Sequence, residues 1–288
     1  MASDRSGALL RSGCGGVKPR AMLHLTEGPL APLRDRPIAD KVARAATLRS
    51  GYRDHPVDLT DPRGADPMAE IRDHDLAGAN AYHTGVPPYH ARIPHATADL
   101  LLRRPLIDRL NGVNERLMPY GLELWVFDAW RPLAVQNHFH DHWMPDRLRG
   151  LHPEWDTAQI MAETERYFAR GADGAIDPLS PPPHATGSAV DLTIRHRHGA
   201  ELYMGTIFDD LSAAANTAHF EGKPEGLAFS HHEARANRRL LYWLMAEAGF
   251  ANNPTEWWHF SLGDQMWARL TGRPAAYYSV PADAPSVT

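Results

Sequence analysis

The stretch from Pro181 to Ile194, PPPHATGSAVDLTI, constrains the chain most, because it sets a histidine in a loop and an aspartate seven residues later in a β-forming run. A zinc ion takes histidine nitrogen and carboxylate oxygen at about 2.0–2.2 Å, so two groups sharing one must come within roughly 3–4 Å of each other. Seven extended residues would separate them by about 23 Å. The chain between His184 and Asp191 therefore has to bend, and Gly187 supplies the residue that takes positive φ at low cost. The three prolines cannot donate to a central ladder, which keeps His184 in a loop. Ala189 to Ile194 alternates as a half-buried strand does, with Asp191 and Thr193 on one face and Val190, Leu192 and Ile194 toward the core. Taken alone, the pair also fits a turn with a capping aspartate and an exposed histidine.

A second histidine–carboxylate pair lies near the carboxyl end, in Thr255-Glu256-Trp257-Trp258-His259-Phe260-Ser261-Leu262. The aromatic run after Pro254 favours an extended chain. Positions three apart in a strand point to opposite faces, so Glu256 is expected in the loop end and His259 on the strand. That division suits unequal roles, with His259 as a ligand and Glu256 as a base beside an activated water. His184, Asp191 and His259 then make three protein ligands, the number a catalytic zinc uses when it keeps a fourth position open. Two imidazoles and one carboxylate also describe a non-haem Fe(II) triad. A nearby acid placed to take a proton favours hydrolysis.

Elsewhere the chain reads as alternating helices and short strands. Residues 1–65 are loop-like, with a helix suggested only over Ile38 to Ser50, and are read as a leader or arm; residues 66–288 form the main domain. Apolar spacing predicts helices over Ala98 to Met118, with a break near Pro105, over Ala158 to Arg170, and over His231 to Ala248. Leu122 to Phe127 is a strand candidate, and Arg131 stands just past its carboxyl end, where a surface or structural ion-pair arginine is the plainer reading. Glu201 to Met204 is expected to return against the Asp191 strand as a hairpin. Asp209 and Asp210 read as caps of a helix over Leu211 to Asn216.

With 17 histidines in 288 residues, no single one is informative. The tract His138-Phe139-His140-Asp141-His142 puts only His138 and His142 on one helical face and is read as a solvated surface. A formal charge of −5 gives no reason to expect nucleic acid. The single cysteine, Cys14, forbids an intramolecular disulfide. No apolar run reaches the ~18 residues of a membrane span. The amino terminus lacks an apolar signal core, so the cytoplasm is the expected location.

HATGSAVDLT, Glu256-Trp257-Trp258-His259, Met204-Gly205-Thr206-Ile207-Phe208-Asp209 and Asp128-Ala129-Trp130-Arg131-Pro132 together resemble the VanX-like D-alanyl-D-alanine dipeptidases of the M15 zinc peptidases, over roughly residues 70 to 275. The resemblance implies an α+β fold, an antiparallel sheet with flanking helices. It also implies one Zn²⁺ held by His184, Asp191 and His259, Glu256 as general base, Arg131 on the oxyanion and Asp209 on the free ammonium of a small dipeptide from the cell wall. One position departs from the pattern. Where the resistance enzymes carry a serine two residues before the first histidine, this chain has Pro182, so the substrate carboxylate must be recognised elsewhere. The alternatives are an M15 relative with other specificity, such as an L,D-peptidase or a carboxypeptidase, and a non-catalytic zinc-stabilised binding module. Oligomeric state is not legible.

Overall fold

A five-stranded sheet forms the spine of the computed structural model, which describes residues 23–39, 47, 50–168, 170–171, 176–197, 199–221 and 228–284. In chain order the elements used below are α1 (Ala31–Asp35), β1 (Met68–Glu70), β2 (Ala77–Gly78), α2 (Ala81–Thr84), β3 (Leu101–Arg103), α3 (Arg104–Leu117) and β4 (Leu122–Asp128). They continue with α4 (Leu133–His138), α5 (Met144–Leu151), α6 (Thr157–Tyr167), β5 (Ala189–His196), α7 (Phe229–Glu247), β6 (Ala251–Asn252), β7 (His259–Ser261) and α8 (Gln265–Thr271). The sheet order is β2-β4-β5-β7-β6. All its pairings are antiparallel except β2 with β4, which is parallel. The architecture is α+β, as the resemblance implies, with β1 and β3 forming a separate antiparallel pair.

The register across the sheet positions the site. Asp128 of β4 and His259 of β7 both stand opposite Asp191 of β5, so three strands present polar side chains at one level. β5 is buried on both faces through Ile194, rather than half-buried. Val190, Leu192 and Ile194 enter the core, while His184, His259 and Arg131 roof the face at Asp191. In α3, Leu106, Ile107, Leu110, Val113 and Leu117 are buried at helical spacing. The helix is shorter than the expected Ala98 to Met118 because Pro105 occupies its first turn, where its missing N–H is not needed, and the residues before it pair as β3.

Three expectations are corrected. Glu201 to Met204 forms no second strand: one bridge between Arg195 and Glu201, with the Leu202 amide on the Ile194 carbonyl, is all that remains of the hairpin. Leu211 to Asn216 contains only the single 3₁₀ turn Ala213–Ala215, capped by Ser212. Asp209 is no cap; its backbone has φ 54°, and its carboxyl accepts from Tyr82 and Tyr89. The tract His138 to His142 runs from the end of α4 into a π turn, Phe139–Trp143, which leads directly into α5.

Most of the helix expected over Ile38 to Ser50, together with Cys14 and His198, falls outside the described residues. The described part of residues 1–65 packs on the main body. Arg34 reaches Glu233 and Asn237 of α7, and Arg36 lies 3.4 Å over the Trp243 ring. Among the described residues no helix is long and apolar enough to cross a membrane.

Candidate active site

His184 sits in the 3₁₀ turn Pro183–Thr186, which Gly187 closes with φ 69°. The turn folds His184 back over the start of β5, bringing its Nε2 to 3.3 Å from Asp191 Oδ2 and 3.1 Å from His259 Nδ1. His259 Nδ1 is 3.0 Å from Asp191 Oδ1. One ligand atom from each of the three residues lies within 4.8 Å of the others, and all three residues are buried. His184 Nδ1 donates to the Ala129 carbonyl at 2.7 Å, which leaves the Nε2 lone pair facing the group.

These residues fit a metal. Their donor set is two imidazoles and a carboxylate, and Asp191 Oδ1 is buried without a hydrogen-bond partner among the described residues. Burial alone would raise the Asp191 pKa, but the two histidines outweigh it and hold the carboxyl well below the usual range. Burial alone would lower the His259 pKa, but the adjacent Asp191 carboxylate outweighs it and moves it upward.

Glu256 lies in the turn just before β7, as its offset from the strand predicts. Its Oε2 is 3.7 Å from His259 Nδ1, beside the ligand atoms and partly open to solvent. Asn252 fixes this turn by donating to the carbonyls of both Glu256 and His259 at 3.0 Å, and Thr217 holds the Asn252 side chain. The paired tryptophans anchor it on either side: Trp257 donates to Thr206, and Trp258 packs edge-on against Phe208.

Arg131 reaches the same space from the loop after β4. Its guanidinium donates to Asp128 Oδ2 at 3.0 Å, to Gln136 Oε1 at 3.0 Å and to the Tyr82 hydroxyl at 2.6 Å, and it approaches Asp191 Oδ2 at 3.5 Å. Of the plainer reading of Arg131, the surface half is overturned and the structural ion pair is present: Arg131 is buried against Asp128, and Tyr82 and the acids around it outweigh that burial and raise its pKa. Asp128 is fully buried; its Oδ1 accepts from Asn80, and its Oδ2 also stands 3.3 Å from His184 Nδ1. Burial raises the Asp128 pKa against the pull of Arg131 and His184.

Asp209 is the far wall. Tyr82 donates to its Oδ2 at 3.1 Å, and Tyr89 donates to the same oxygen. Burial, reinforced by Asp191, pushes the Asp209 carboxyl up to about 8. The Tyr82 hydroxyl thus accepts from Arg131 and donates to Asp209, joining a fixed cation to a buried acid. Tyr82, Tyr89, Asp128, Gln136 and Asn252 have no role in the sequence reading. The one available signal was the density of aromatics between Tyr82 and His95, in a segment too rich in proline to be an ordinary core element.

The chain matches the model of the Peptidase M15, D-ala-D-ala dipeptidase family over residues 82–278. Among characterised proteins it is similar to a D-alanyl-D-alanine dipeptidase of Synechocystis, 32% identical over 221 residues that cover 72% of this chain and 83% of that protein. A D-alanyl-D-alanine dipeptidase of Escherichia coli is 30% identical over 144 residues, 49% of this chain and 56% of that protein. Another from Enterococcus faecalis is 31% identical over 161 residues, covering 54% and 68%. The matched region holds the histidine–aspartate cluster, Arg131, Asp209 and Glu256 alike: this chain belongs to the M15 peptidase family of D-ala-D-ala dipeptidases.

Proposed function

We propose that the chain is a zinc dipeptidase that cleaves D-alanyl-D-alanine, or a similarly short dipeptide, to free amino acids. The observation that carries this reading is the buried His184, Asp191 and His259 group with the Glu256 carboxylate at its open side. Zinc, when bound by those three residues, supplies Lewis acidity, acidifying water to a pKa near 7 and polarising a carbonyl.

The chain's own residues supply the rest. Glu256, whose carboxylate stands 3.7 Å from His259 Nδ1 beside the ligand atoms, takes the proton of the attacking water and delivers it to the leaving amine. Arg131 faces the developing oxyanion. Asp128, Gln136 and Tyr82 fix its guanidinium in advance, so no reorientation is needed as charge builds. Asp209 pairs with the substrate's free ammonium. An acylated amino group would leave that acid without a cation, which limits the substrate to one residue on the amino side of the cleaved bond.

Pro182 favours a second reading of the specificity. It caps the Pro183–Thr186 turn and offers neither hydroxyl nor N–H for a substrate carboxylate. A relative that cleaves a different short peptide with the same machinery fits that feature. One experiment addresses both readings. Glu256→Gln should lower turnover by about 10²–10⁴-fold while metal content, measured by atomic absorption, is unchanged. Substantial residual turnover would remove Glu256 from its role. The wild-type protein, assayed on D,D, L,D and L,L dipeptides and their N-acyl forms, separates the two specificities.

A further inference from the structure

Away from the active site, His138 and His142 repeat the spacing of its two histidines. Their ring centroids are 5.2 Å apart with 44° between the planes, against 4.8 Å and 75° for His184 and His259. Two imidazoles bound to one ion at about 2.0–2.1 Å put their ring centres roughly 5 Å apart. His138 ends α4, and His142 lies four residues on, inside the π turn Phe139–Trp143. Single π turns within helices often occur at functional sites.

The ring nitrogens of this pair are uncommitted. Neither His138 nor His142 makes a hydrogen bond among the described residues, whereas His140 between them is buried and uses both nitrogens, on Asp141 and Glu165. The pair opens on a groove of about 480 Å³ that is also lined by Trp143, Asp146 and Arg147. His95 and Asp146 are both close enough for their charges to act on His138. Partial burial of His138, with the neighbouring imidazoles, lowers its pKa and leaves the ring neutral, the form that binds metal.

We propose that His138 and His142 form a second metal site, separate from the catalytic group, for a divalent transition-metal ion that prefers imidazole, of the Zn²⁺ or Ni²⁺ kind. Hard cations such as Mg²⁺ and Ca²⁺ prefer oxygen ligands and would not compete for it. Water completes the coordination on the solvent side, and Asp146, which lines the same groove, adds negative charge near the ion. The site shares no residue with the His184 group, and only the count of equivalents in its test rests on the proposed catalytic zinc.

The test is equilibrium dialysis of the full chain, already carrying one zinc, against Zn²⁺ over a micromolar to submillimolar range. Wild type should take up a second equivalent. His142→Ala, a change at an exposed side chain, and His138→Ala should each weaken that uptake at least tenfold. Dipeptide turnover of the singly loaded protein should be the same in wild type and His142→Ala. Uptake by wild type that both alanine variants retain in full overturns the proposal, whether one equivalent or two; a single equivalent that both variants lose would instead place the failure at the catalytic group.

Discussion

Asp209 is held in two unfavourable ways at once. Its backbone is in the left-handed region at φ 54°, where residues with a side chain are strained, and its carboxyl is buried among hydroxyl donors. Burial raises its pKa from 3.8 to about 8. Within that interval the folded chain keeps a proton that the unfolded chain has released, so this residue's contribution to stability is complete below the lower value and is lost as pH rises through the upper one. The acid is costly to ionise until a cation arrives, which is what a selective ammonium site requires. Asp209→Asn keeps an acceptor for Tyr82 and Tyr89 but cannot ionise. In the metal-free protein, the variant should match wild type near pH 4 and gain on it steadily toward pH 8, by a few kcal/mol at most. Urea midpoints across that range check it; parallel curves for the two proteins would show that Asp209 does not titrate as described.

Gly187 decides the shape of the turn that carries His184. At φ 69°, any other residue pays about 1–2 kcal/mol for the left-handed conformation. A Cβ there would also meet the Met68 side chain at 2.4 Å. Its carbonyl accepts from the Arg103 amide, so the turn cannot shift freely to relieve the contact. Gly187→Ala should therefore destabilise the fold by about 1–3 kcal/mol and weaken metal retention, read by chelator competition. Wild-type values in both measurements would mean that another conformation serves equally well. This turn was legible in the sequence because its constraint is local: a glycine between two residues that must meet. The placement of Glu256 before the final strand was legible for the same reason, from the period of two. Tyr82 and Tyr89 were not, since they reach Asp209 across 127 and 120 residues and belong to no periodic element. β2 is two residues long and gives no pattern, so the parallel edge it adds was invisible. The hairpin expected at Glu201 failed because Leu202 and Met204 turn into the core beneath α7, where Arg238 takes the Met204 carbonyl.

At the scale of the whole molecule, Arg103 ties together segments remote in sequence. It is buried to 1% exposure, and among the described residues no carboxylate is bound to its guanidinium. Instead Nε donates to the Thr186 carbonyl at 3.0 Å, Nη1 to those of Gly64 and Asp66 at 3.0 and 2.6 Å, and Nη2 to that of Ser279 at 2.9 Å. The Tyr278 ring, whose hydroxyl is bound to Asp66, lies 4.9 Å from the guanidinium carbon. One side chain therefore fastens the loop before β1, the segment after α8 and the back of the His184 turn. Arg103→Met fills much of the same volume but leaves four carbonyls without their donor. Each such loss costs about 1–3 kcal/mol when water cannot replace it. Water will reach some of them, so a total of at least about 3 kcal/mol is expected in urea unfolding. Arg103→Lys should recover little, because a compact ammonium with three donors cannot span acceptors arranged for a planar fork. Hydrogen exchange should speed up at residues 64–66 and 276–279 before it does in β4 and β5, because the first effect is to release the two outer segments from the sheet. A methionine variant that unfolds at the wild-type midpoint, with those segments still protected, would show that the surrounding packing holds them without the arginine.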